Sequence, residues 1–188
     1  RSLGPPSRVT VIPGNHDAYI ATAWDRTFQL WSDYMASDVI QDFPGLEKKC
    51  SRVFPILKIR GGTALIGVSS AQPTLPFLAV GSIGKPQLRR LENILVETRQ
   101  RQLLRVVLIR RSSRGDLEMP WGRVFAVSAA SASPLGRTDR RRARYHLCRL
   151  IPNADVWDLI LSVRVYSSIE RRFVEDSEHR LPLPLPTG

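Results

Sequence analysis

Asn15, His16 and Asp17 set an amide oxygen, an imidazole and a carboxylate at three consecutive positions, directly after Pro13-Gly14. Such a donor set suits metal-assisted phosphate-ester chemistry, in which cations clamp the attacking and leaving oxygens. A blander reading stands beside it. Pro-Gly-Asn is good turn chemistry, and Asp17 is of a type that caps helices. The tetrapeptide therefore has to be judged by the elements that would hold it.

Ahead of it runs Val9-Thr10-Val11-Ile12, apolar and β-branched, stopped at once by Pro13-Gly14. That pattern predicts a short buried strand. Behind it the period changes: Trp24, Phe28, Trp31 and Met35 recur at i, i+4, i+7 and i+11, one face of an amphipathic helix. Asn15, His16 and Asp17 are thus expected on a strand-to-helix loop, at the carboxyl end of a strand, where open α/β sheets place their ligands.

Pro13-Gly14-Asn15-His16-Asp17 after an apolar strand resembles the GNHD signature of the calcineurin-like metallophosphoesterases. The Ser69-Ser70-Ala71 turn, the helix after Lys85-Pro86 and the strand Arg105-Val106-Val107-Leu108-Ile109 follow in that family's order. The resemblance covers about residues 8 to 166 and is looser in the second half. It implies a metal-dependent hydrolase of phosphomonoesters or phosphodiesters, with two divalent cations (Mn, Fe or Zn) and a small phosphoester substrate. It also implies roles: Asn15 as a metal ligand, His16 as the acid acting on the phosphoryl group, and Asp17 as the group that orients His16.

The same resemblance implies ligands that this sequence does not supply. The family draws them from an Asp-x-His and a Gly-Asp on two earlier strands, a later His, and a Gly-His-x-His loop. Only Arg1 to Ser7 precede the first strand here, so the earlier blocks are expected to be missing. The strand ending at Ile109 runs into Arg110-Arg111-Ser112 where the family has histidines, and a guanidinium cannot shed its proton to bind a metal. A short polar link, Ser113 to Gly122, replaces the segment bearing the Gly-His-x-His loop. His146 and His179, the other two histidines, lack the clustered donors of a ligand set. The two cations are therefore expected not to be fully bound, and the chain to be an inactive or weakly active fragment.

At 188 residues and 43% apolar, the chain is one domain or most of one, with enough apolar residues for a core. Further strands are predicted at Val53–Ile59, Thr63–Val68, Arg105–Ile109, Val124–Ser128, Ala143–Leu150 and Trp157–Tyr166. Gly61-Gly62 reads as a hairpin turn. A second helix is predicted over Pro86–Arg101, with Leu88, Leu91, Ile94 and Leu95 on one face. The expected fold is α/β: an incomplete metallophosphoesterase-like αββα sandwich over residues 1–175, lacking its N-terminal strands and the Gly-His-x-His segment. A Pro-rich tail over residues 176–188 is expected to be extended and poorly ordered.

Charge offers the rival reading. Twenty-eight basic against 17 acidic residues leave a net +11, concentrated in arginines: Arg110, Arg111 and Arg114; Arg137, Arg140, Arg141, Arg142 and Arg144; Arg171 and Arg172. Arginine runs can hold phosphates, so a basic nucleic-acid-binding or non-catalytic scaffold remnant is the alternative. No helix-turn-helix, paired-Cys zinc site or aromatic RNA-binding strand accompanies them, and a solvated arginine-rich face is the simpler account. Ser128–Ser133 has no Gly-x-Ser-x-Gly elbow and reads as a small-residue loop. Cys50 and Cys148 stand apart, as in a cytoplasmic chain. No membrane-length apolar run or charged-then-apolar leader is seen, and no protein partner is implied.

Overall fold

The computed structural model describes residues 4–13, 28–38, 40, 43, 54–71, 83–109, 143–153 and 156–184. The chain divides into two compact units, residues 1–113 and residues 114–187. In the first unit, β1 (Ile56–Arg60) and β2 (Thr63–Val68) form an antiparallel hairpin. Gly61-Gly62 turns it, with Gly61 at φ +55°, a conformation that costs glycine little. β2 then pairs in parallel with β3 (Leu104–Ile109) through α1 (Lys85–Gln100). Strand order is β1-β2-β3.

The helix forms where its apolar spacing and Pro86 near its start predict. Leu91 and Ile94 pack on Leu57, Ala64, Ile66 and Val68, the residues that alternate onto one face of the hairpin, with Phe43 beside them. Each fully buried Leu or Ile of this kind contributes about 1.5–3 kcal/mol. The helix ends on Gln102, whose φ is +55°. Leu103 N–H donates to Thr98 O at 3.0 Å and Gln102 N–H to Arg99 O at 2.8 Å, closing the last turn.

The second unit is a meander: β4 (Arg144–Pro152), β5 (Val156–Ser167) and β6 (Arg172–Pro184), antiparallel throughout. Leu159, Leu161 and Val165 are buried on one face. On the other, Tyr145, Leu147, Ile151 and Phe173 are exposed. Phe173 meets Tyr145 and Tyr166 edge to face, at centroid distances of 4.9 and 5.5 Å.

The αββα sandwich expected from the sequence is not the fold. The strands form two small, mostly antiparallel sheets, and one α-helix and one 3-10 helix are the helices among the described residues. The physical reason lies in how each strand finds its neighbour. Short turns join β4 to β5 and β5 to β6, so pairing with the sequence neighbour costs little loop entropy. Among the described residues, the face of β1-β2 opposite α1 is covered by the irregular residues 4–13. Smaller differences follow. Residues 9–12 are not a strand. The expected helix through Met35 is a 3-10 helix over Phe28–Met35. Leu181–Pro184, read as a poorly ordered tail, continues β6 and pairs with Val156–Leu159. The predicted strand Val124–Ser128 and the Ser128–Ser133 loop lie outside the described residues.

Candidate functional site

Asn15, His16 and Asp17 lie outside the described residues. The segment that delivers them does not. Residues 4–13 form a strap along the face of β1 that carries Ile56, Lys58 and Arg60. Arg60 Nε donates to Ser7 O at 2.9 Å. Lys58 Nζ donates to Pro6 O and Val9 O, both at 3.0 Å. Ile12 reaches Gly67, opposite Ile56. The strap therefore runs antiparallel to β1 and parallel to β2 and β3. Its last described residue, the buried Pro13, follows the contact with Gly67, one position before β2 ends at Val68.

Lys58 is the centre of this arrangement. It is 2% exposed, inside the sequence Ile56-Leu57-Lys58-Ile59. A buried ammonium is costly unless its donors are matched. Here a third bond runs to Tyr34 O at 3.2 Å, so strap, 3-10 helix and sheet meet at one cation. Val11 N–H donates to the same Tyr34 carbonyl, and Tyr34 Oη donates to Gly4 O. The open edge of β1 is filled by neighbours of Tyr34: Leu57 N–H donates to Ser37 Oγ, while Ile59 N–H and Arg60 both donate to Asp38 Oδ2. With that edge occupied, Val9–Ile12 packs on the face of β1 and does not join the ladder.

At the carboxyl end of β2 a second clamp forms. Ser69 N–H donates to Gln87 Oε1 and Gln87 Nε2 donates back to Ser69 O, both at 2.9 Å. Ser69 Oγ accepts from Ala71 N–H. The Ser69–Ala71 turn is thereby fixed to the first turn of α1, beside the end of the parallel pair.

The residues that hold this end of the sheet, Lys58, Gly67 and Gln87, were not among those the motif singled out. One signal for Lys58 was available, a charge inside the apolar run Ile56-Leu57-Lys58-Ile59.

His146 lies on β4 opposite Val163, and His179 on β6 opposite Leu161, with Nε2 3.1 Å from Ser177 Oγ. Burial, then the neighbouring Arg144 guanidinium, holds the His146 imidazole below its ordinary value. Among the described residues no group of three or more His, Cys, Asp or Glu could hold a metal ion. These residues alone do not fit a two-cation centre.

No protein-family model, curated protein or solved structure matches the chain.

The arginine clusters divide. Arg110, Arg111, Arg114, Arg137 and Arg140–Arg142 lie outside the described residues. In the second unit, Arg164 pairs with Glu175, Arg172 with Glu170 and Arg180 with Asp158. Phe173, still partly exposed, packs edge to face with Tyr145 and Tyr166. No helix among the described residues is long and apolar enough to cross a membrane.

Proposed function

We propose that this chain is a metallophosphoesterase-like polypeptide whose phosphoester chemistry centres on Asn15, His16 and Asp17, and that the 188-residue chain by itself is inactive or weakly active. One observation chiefly supports this reading. The strap leading to the tetrapeptide travels in the direction of β2 and β3 and reaches the end of the sheet where both strands terminate. That edge is where sheets with parallel strands present their loops to ligands. The reading rests on this local arrangement and on the motif, and not on the overall fold.

Roles follow from the side chains. Asn15 offers an amide oxygen to a divalent cation, His16 a transferable proton, and Asp17 an acceptor that fixes the imidazole. A pair of cations needs more donors than one loop carries. The substrate would be a small phosphoester. A cytoplasmic setting belongs to the same proposal, supported by the sparse cysteines Cys50 and Cys148.

Two measurements test it. Manganese should selectively broaden the NMR signals of Asn15 and His16 and leave those of His146 and His179 sharp. Hydrolysis of an aryl phosphodiester with added manganese should stay near background. A His16 signal indifferent to manganese removes the metallophosphoesterase reading. Turnover at an ordinary enzymatic rate, abolished by His16→Ala, overturns the inactive half of it.

A further inference from the structure

We propose that β4 is a docking edge for a second copy of this chain. The two β4 strands pair antiparallel about a twofold axis at Leu147 and join their sheets into one. The proposal lies within the second unit and does not rest on the phosphoester reading.

A three-stranded meander has two edges, and here they differ in backbone chemistry. Tyr166 N–H donates to Ala143 O and Asn153 N–H to Val156 O, both at 2.9 Å. Both pairs lie in the register of the β4-β5 ladder, so the odd-numbered residues between them turn their backbone groups towards β5. Those of His146, Cys148 and Leu150 point the other way, and β4 pairs with no strand but β5 among the described residues. On β6 the same alternation gives Leu183, Leu181, His179 and Ser177 to β5 and turns Pro182 and Pro184 outward. An added strand finds no N–H at either proline. Proline blunts that edge, whereas His146, Cys148 and Leu150 each keep a donor on theirs.

The side chains name the occupant. Tyr145, Leu147 and Ile151 share one face of β4 and are 40%, 50% and 38% exposed, with Arg149 exposed between them. Paired with itself about Leu147, the strand sets Leu147 on Leu147 and Arg149 against Tyr145 of the second copy. A guanidinium and a tyrosine ring attract, and no two like charges stand opposite each other. Moving the axis to Cys148 would put Pro152, which has no N–H to give, at a hydrogen-bonded position. Moving it to His146 shortens the ladder and takes Arg149 off Tyr145. A twofold contact of this kind closes on itself as a dimer.

The test uses the full chain. Sedimentation at tens of micromolar protein and low salt should give twice the chain mass. Leu147→Lys changes an exposed side chain and brings two ammonium groups face to face, so the dissociation constant should rise at least about tenfold. Cross-linking reads the register. Leu147 meets its mate at a non-hydrogen-bonded position, about 4.5 Å apart between Cα atoms and within disulfide reach. The native Cys148 lies diagonal to its mate, about 7–8 Å away and beyond that reach. On mild oxidation, Leu147→Cys in a Cys148→Ser chain should therefore form covalent dimer at least about tenfold faster than wild type.

A wild-type monomer, as expected were this edge reserved for another protein, overturns the proposal. So does open-ended growth at low salt, the mark of a head-to-tail contact. A dimer that Leu147→Lys leaves intact overturns it, as does Leu147→Cys cross-linking no faster than wild type. Should Leu147→Lys lose the amide protection of β5, the cross-linking rates decide alone.

Discussion

A buried Lys and a partly buried His respond differently to the loss of water around them. Lys58 Nζ is matched to backbone carbonyls of Pro6, Val9 and Tyr34. His146 is held away from its charge, by partial burial first and by Arg144 second. The sign of the resulting pH dependence follows from linkage. The folded imidazole binds a proton less readily than the unfolded one, whose ordinary value is 6.5. As pH falls below that value, the unfolded chain takes up the proton first, and stability is lost until the folded value is passed. Above about pH 7 both forms are neutral and His146 contributes no slope. The thermal midpoint should therefore fall between about pH 7.5 and pH 5.5, and His146→Gln should flatten that decline relative to wild type. An identical slope in the variant would assign the effect to other groups.

Elements differ in how far local chemistry commits them, and α1 shows both cases. Its apolar spacing and its proline are enough to form it, but its end is strained. Gln102 occupies the left-handed region that closes the helix, at φ +55°. That conformation costs an L-residue roughly 1–2 kcal/mol, part of which glycine returns through its larger unfolded-state freedom. Gln102→Gly should therefore stabilise the first unit by about 0.5–1 kcal/mol, read as a higher denaturant midpoint at unchanged slope. The hairpin through Gly61-Gly62 and strands β2, β3, β4 and β5 were legible for the same local reason, since alternating or continuous apolar runs end at turn residues. Val9–Ile12 was not. Its composition is that of a strand, yet Ser37 and Asp38 already satisfy the edge it would join. Only the tertiary arrangement reveals that competition. Leu181–Pro184 erred the other way: prolines suggested a loose tail, but on an edge strand a missing N–H can face outward at no cost. The motif itself was visible at once. The residues that contact the strap before it, Lys58 and Gly67, are scattered through elements whose sequence says only that they are strands.

At the scale of the whole molecule, repulsion and apolar exposure pull in opposite directions. A net charge of +11 keeps copies apart. Against it stands β3, Leu104-Arg105-Val106-Val107-Leu108-Ile109, apolar at every position but Arg105. It pairs on one side with β2 and with no other strand among the described residues, and Val107 and Ile109 are 38% and 36% exposed. An unpaired apolar edge invites strand addition between copies. Which tendency prevails depends on screening. The Debye length is about 10 Å at 0.1 M salt and about 3 Å at 1 M, so added salt removes the repulsion and leaves the apolar attraction. Light scattering should therefore rise with sodium chloride. Val107→Lys, which sets a charge on this partly exposed strand beside Ile66, should suppress that rise. Association that weakens with salt would mean that charge pairs join the molecules. In that case the β3 edge is not the surface through which they meet.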